Sequence, residues 1–233
     1  MHSLSAVPLL KSEHEPNEHP HRYEDCGMKA DVIATEQQLR ALYGDADDLA
    51  IRKSLDHIDT HARAFVAASP FVVLATMDRD GRADSSPRGD FPGFVETLDA
   101  HHLLLPDRPG NNRLDTLLNL LENPAIGLLF LIPGIRETLR VNGTARIICN
   151  QDLLARHAVD GKLPKSGLLI RVDEMFLHCA KALMRSKLWK PETWPDKTVI
   201  ASPGRIWSDH LKGGVDADEL DQRLERNMPK NLY

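Results

Sequence analysis

The segment Leu105-Pro-Asp-Arg-Pro-Gly-Asn-Asn-Arg113, running into Leu-Asp-Thr-Leu-Leu, sets two arginines and two asparagines between an apolar run and an amphipathic one. The pattern reads as the end of a strand, a Pro/Gly turn and the polar start of a helix. A helix start exposes unpaired N–H groups and carries partial positive charge, so it is a ready anion site. Arg108 and Arg113 would add charge-assisted contacts to a phosphate there. The plainer alternative is that Asn111 caps the helix and both arginines are solvated.

Three further segments carry donors. In Ala83-Asp-Ser-Ser-Pro-Arg-Gly89, two hydroxyls (Ser85, Ser86) and the Arg88 guanidinium suit a polar ring or a phosphate, the alternative being an edge strand with a solvated arginine. In Thr138-Leu-Arg-Val-Asn-Gly143, strand alternation puts Thr138, Arg140 and Asn142 on one face, where Arg140 faces either a groove or a surface ion-pair partner. The stretch His178–Trp189 holds Lys181, Arg185, Lys187 and Trp189, a combination also met in single-strand nucleic-acid binders. A formal net charge of −5 speaks against that class. No Ser/His/Asp order or carboxylate pair stands out as a hydrolase site. The surplus of Arg, Lys, Ser and Asn fits holding a phosphorylated planar cofactor better than supplying an acid–base pair.

These segments need a scaffold, and 233 residues with 42% hydrophobic content supply one sizeable domain with appendages. No run approaches the roughly 18–20 apolar residues of a membrane span, and Leu4–Leu10 is too short, and broken by Pro8, for a secretory signal. Cys26, Cys149 and Cys179 lie far apart and read as reduced thiols of a cytoplasmic protein. Residues 1–28 read as a flexible arm whose His14, His19 and His21 lack a fixed metal-ligand spacing, and no metal site is expected.

Thr35 and Gln38 predict a capping box for a helix ending at Gly44. A longer helix is expected from Asp47 or Asp48, with Ile51, Leu55, Ile58, Ala62 and Phe65 on one face. His57 and His61 fall one turn apart on it and read as helix surface. Strands are predicted at 71–77, 82–89, 94–98, 102–105, 126–132, 137–149, 166–172 and 175–182. A helix after Gly110 is expected to bury Leu114, Leu117, Leu118 and Leu121, and Asn150 to cap another over 151–158. Short helices follow at 205–211 and 216–226. Many short antiparallel strands with few helices between them predict a mainly β chain with flanking helices (α+β), built as a closed or split β-barrel. No G-x-G-x-x-G follows a strand, which argues against a nicotinamide cofactor in a Rossmann domain.

Taken in order, "SPFVVLATMDRDGRADSSPRGDFPGF", "LLLPDRPGNNRLDTLLNLLENPAIGLLFLIPG", "ETLRVNGTARI" and "HCAKALMRSKLW" resemble the FMN-binding pyridoxamine 5′-phosphate oxidase-like flavoproteins, over about residues 32–192. The resemblance implies an FMN-binding split β-barrel over 29–192, after the arm at 1–28 and before a helical extension at 193–233. It implies a homodimer with FMN at the subunit interface and a small-molecule substrate; the net charge of −5 argues against nucleic-acid and membrane partners. It assigns Ser85, Ser86 and Arg88 to the flavin ring and phosphate, and Arg108, Asn111, Asn112 and Arg113 to the phosphate. Thr138 and Arg140 would approach the ring, with Lys181, Arg185 and Trp189 reaching it from the partner. The family's Trp-x-x-x-Arg-Leu-x-Pro segment has no counterpart here, so oxidation of pyridoxamine phosphate itself is not implied. An FMN-dependent oxidoreductase is thus the leading expectation. A non-catalytic flavin or haem binder is the alternative, and a deazaflavin in place of FMN is a third reading.

Overall fold

The computed structural model describes residues 32–228 and 232–233. The arm, with its three histidines and Cys26, lies outside the described residues. The chain divides into two compact units, Met1–Ala46 and Asp47–Tyr233. Within the first, helix α1 (Glu36–Tyr43) starts at the expected capping box and stops at Gly44.

The second unit is organised by seven strands: β1 (Phe71–Met77), β2 (Ala83–Gly89), β3 (Glu96–Thr97), β4 (His102–Pro106), β5 (Ala125–Leu131), β6 (Thr138–Ile148) and β7 (Gly167–His178). Their order is β2-β1-β5-β6-β7-β4-β3, and every neighbouring pair is antiparallel. The sheet does not close; β2 and β3 are its free edges. This is the α+β, split-barrel arrangement expected of the sequence. Pro87 sits in the edge strand β2, where a missing N–H breaks no interior ladder.

Alternation decides the inner face. Val72 and Leu74 of β1, Leu128 and Phe130 of β5, Val141 of β6 and Ile170 of β7 are all at most 2% exposed and form one core. Each such side chain contributes about 1.5–3 kcal/mol through burial. Between Asn142 and Gly143 the β6–β7 register shifts at a bulge. A Cβ on Gly143 would run into the Arg171 carbonyl, so only glycine allows this approach.

Four expectations change. The long helix is two, α2 (Asp48–Arg52) and α3 (Thr60–Ala68), because Leu55 trades two backbone hydrogen bonds with Met175 of β7 (2.9 and 2.8 Å) and Asp59 caps α3 afresh. His57 falls in that break, paired with Asp56 at 2.9 Å, so it and His61 do not share a helix. The two strands predicted at 166–172 and 175–182 are one, β7, followed by helix α6 (Lys181–Ser186). Helix α4 (Asp115–Glu122) exists but buries Thr116 and Leu120, leaving Leu114, Leu118 and Leu121 exposed. Of the four leucines expected inward only Leu117 packs, partly buried, against the core, and the inward face is partly polar because it meets β2.

Asn150 caps α5 (Gln151–Ala155) as expected, and α7 (Pro203–His210) packs on α8 (Ala217–Asn227). No helix among the described residues is long and apolar enough to cross a membrane.

Candidate functional site

On β2, Asp84, Ser86 and Arg88 alternate onto the inner side, opposite Thr76, Leu74 and Val72 of β1. Helix α4 begins over them. Arg88 Nη1 donates to Ser86 Oγ and, at 2.9 Å, to the Pro87 carbonyl, while Nη2 reaches Thr116 Oγ1 at 3.4 Å. Thr116 Oγ1 in turn donates to Asp84 Oδ2 at 3.3 Å. Arg88 is therefore held, not solvated, although β2 is an edge strand.

The turn before α4 is unusual. Asn112 and Leu114 both adopt left-handed backbone (φ 59° and 62°), a conformation costly for residues other than glycine and concentrated at ligand clamps and other functional sites. Leu114 is the N-cap residue and has no side chain to accept from the first-turn N–H groups. Asn111 does not cap the helix; its Oδ1 accepts from Arg113 N–H at 3.0 Å. Arg113 lies 73% exposed beside the helix start, paired with Asp115 at 2.9 Å.

Asp107 follows directly on β4, within electrostatic reach of Arg88. Burial pushes its carboxyl up from the ordinary value, and the positive charge of Arg88 only partly opposes this.

Arg108 stands apart from this group. Its Nε donates to Asp90 Oδ2 at 2.6 Å and its Nη1 to the His157 carbonyl at 2.8 Å, with the Tyr233 ring 5.3 Å from the guanidinium carbon. The Arg108 and Asp90 side chains are only 16% and 2% exposed.

The other sequence-derived residues divide by face. Ser85 lies on the outer side of β2. Arg140 is exposed on the outer side of β6, 5.1 Å from the Phe176 ring. Thr138 is buried opposite His178. Lys181 and Arg185 project from α6, and Trp189 Nε1 donates to the Ile135 carbonyl at 2.8 Å. Among the described residues, no hydrogen bond or ion pair joins these three to the Arg88 group.

Thr116, Asp84, Asp90, Asp107 and Tyr233 were missed by sequence reading. Asp84 was legible, because it shares the period of Ser86 and Arg88. Thr116 was signalled only as a polar residue inside an apolar helix run.

Residues 58–179, slightly more than half of the chain, match the family model for pyridoxamine 5′-phosphate oxidase. The chain belongs to this family. The match takes in every strand, α4 and the Arg88 group. No curated protein sequence matches. Among solved structures, HupZ of Group A Streptococcus aligns at 18% identity over 52% of this chain and 93% of its own, with a TM-score of 0.44. The conserved hypothetical protein Rv2991 of Mycobacterium tuberculosis aligns at 16% identity over 62% and 97%, with a TM-score of 0.40. General Stress Protein 26 of Bacillus anthracis aligns at 15% identity over 49% and 88%, with a TM-score of 0.36. Membership in the pyridoxamine 5′-phosphate oxidase family rests on the family match.

Proposed function

We propose that this chain is an FMN-binding oxidoreductase of the pyridoxamine 5′-phosphate oxidase family that acts on a small molecule as a homodimer. The observation that carries the reading is the convergence of Arg88, Ser86 and Thr116 on a helix start without a side-chain cap. This donor set fits a phosphate. It offers a guanidinium, two hydroxyls, the first-turn N–H groups of α4 and, at the rim, Arg113, Asn111 and Asn112.

In this reading Arg88 and Thr116 hold the phosphate from β2 and α4, and Arg113 screens its outer oxygens. Ser85, Arg140 and Thr138 border the ring, with Lys181, Arg185 and Trp189 contributed by the second copy. FMN supplies the hydride or electron transfer; the protein supplies anchorage, orientation and hydrogen bonds. In this reading the strands from Phe71 to His178 form the cofactor-binding barrel, and α7 and α8 follow it as a helical extension.

Two uncovered surfaces support the homodimer. The stripe Leu114, Leu118 and Leu121 on α4 is 49–73% exposed, and Phe71 and Met77 lie exposed on the outer side of β1. Apolar surface of this kind adjoining a site suits burial against another subunit.

Absorbance of freshly purified protein, with mass analysis of released cofactor, tests the reading. Bands near ~370 and ~450 nm with FMN in the extract are expected. Colourless protein that leaves the fluorescence of added FMN unquenched would refute it.

A further inference from the structure

We propose that Tyr233 is a positioning residue, a latch that fixes the gap between β2 and the Pro106–Arg113 turn and so sets the anion site at the start of α4. This rests on the phosphate reading above and adds to it a residue far from the site in sequence.

The latch is built around the Asp90 carboxylate. Oδ2 accepts from Arg108 Nε at 2.6 Å; Oδ1 accepts from the Tyr233 hydroxyl at 2.5 Å and from Phe91 N–H at 2.7 Å. Asp90 lies two residues beyond Arg88, at the exit of β2, and Arg108 opens the turn that leads into α4. The Asp90–Arg108 pair therefore ties together the two chain segments that carry the phosphate donors. Tyr233 closes the arrangement from a third direction. Its hydroxyl holds Asp90, its ring lies against the Arg108 guanidinium, and its carbonyl accepts from Lys162 Nζ at 3.0 Å. Arg108 is braced further by the His157 carbonyl, and His157 Nε2 is bonded to Glu96 at 3.0 Å.

The electrostatics agree with this geometry. Burial alone would push the Asp90 carboxyl up, yet the Tyr233 hydroxyl, Phe91 N–H and Arg108 together hold it below the ordinary carboxylate value. The hydrogen bond to Asp90, followed by burial, raises the Tyr233 phenol above its ordinary value. Asp90 thus stays ionised and Tyr233 stays protonated at neutral pH, the forms in which the hydroxyl donates and the carboxylate accepts. Asn112 in the turn and Leu114 just after it hold left-handed backbone, so the shape of this segment depends on outside restraint.

The test uses Tyr233→Phe in the full chain, which keeps the ring and deletes the hydroxyl, with Tyr233→Leu as a second variant lacking both. Two readouts are taken. Amide hydrogen exchange on flavin-free protein reports the turn, and fluorescence titration with FMN and with riboflavin, which lacks the phosphate, reports the site. The latch predicts at least threefold faster exchange across 107–116 with the β5–β6 core unchanged. It also predicts at least a threefold loss of FMN affinity with riboflavin affinity unaltered. Unchanged exchange, or equal losses for the two flavins, would overturn the latch. Wild-type protein that binds neither flavin would instead overturn the phosphate reading on which the latch rests.

Discussion

Replacement of Arg88 by alanine is the sharpest perturbation of the proposed site. In the structure its Nη1 is committed to Ser86 and the Pro87 carbonyl, whereas Nη2 holds Thr116 only at 3.4 Å. Nη2 is therefore the group a phosphate oxygen can engage at little cost. A hydrogen bond between charged partners contributes about 1.5–3 kcal/mol, which corresponds to a loss of about 10- to 150-fold in FMN affinity. The upper part of that range is expected, because the deletion also removes the positive charge that Arg88 sets against the Asp107 carboxyl. Fluorescence titration at fixed ionic strength measures the loss, with riboflavin as the control. The phosphate assignment requires that FMN binding weaken while riboflavin binding stay within about twofold. A change below twofold for FMN, or an equal loss for both flavins, would refute the placement of the phosphate beside Arg88.

Three other outcomes follow from the geometry. Gly143→Ala drives a methyl group into the Arg171 carbonyl at the β6–β7 bulge, so denaturant unfolding should show a loss of about 1–3 kcal/mol or more. Burial pushes the His157 imidazole below its ordinary value against the pull of Glu96, so the folded state binds fewer protons than the unfolded chain. Its contribution to stability is therefore present above the ordinary histidine value and lost as pH falls; the thermal midpoint should drop from pH ~7 to ~5 more steeply than in His157→Gln. Asp107 is raised by burial, so its contribution is present below the ordinary carboxylate value and lost as pH rises. Asp107→Asn should accordingly melt higher than wild type at neutral pH, with the difference vanishing below pH ~3.9.

The strands were legible because each carries an apolar alternation bounded by Pro, Gly or Asp turns, as in Phe71–Met77 followed by Asp78-Arg-Asp-Gly81. The helix at 47–65 was misread because its apolar spacing is real while its backbone is claimed elsewhere. Leu55 pairs with Met175, 120 positions away, and local periodicity carries no trace of a tertiary bridge. The leucines of α4 misled for the opposite reason. Their 3.6-residue stripe is genuine, but of the four only Leu117 packs on the core, beside Thr116 and Leu120, and Thr116 meets Arg88 and Asp84 there. Ser86, Arg88 and the Asn111–Arg113 turn could be singled out by residue type alone. The role of Arg108 could not, since Asp90 and Tyr233, its partners, lie 18 and 125 positions away.

Helix capping draws these observations into one argument. Among the described residues, six of the eight α-helices have a side chain at the N-cap that accepts a first-turn N–H: Thr35, Asp47, Asp59, Asn150, Ser202 and Asp216. Helices α4 and α6 do not, starting instead at Leu114 and Ala180. Forgoing a cap costs about 1 kcal/mol, and a left-handed leucine at the N-cap adds roughly 1–2 kcal/mol. Of the two helices without a side-chain cap, only α4 also starts on left-handed backbone, whereas Ala180 at the start of α6 is unstrained. The strain is tolerated where Arg88 and Thr116 stand ready, and the helix start stays open because, in the proposed reading, the phosphate is its cap. Ligand binding then returns the missing stabilisation to α4 itself, so occupancy of the site and order in the turn rise together.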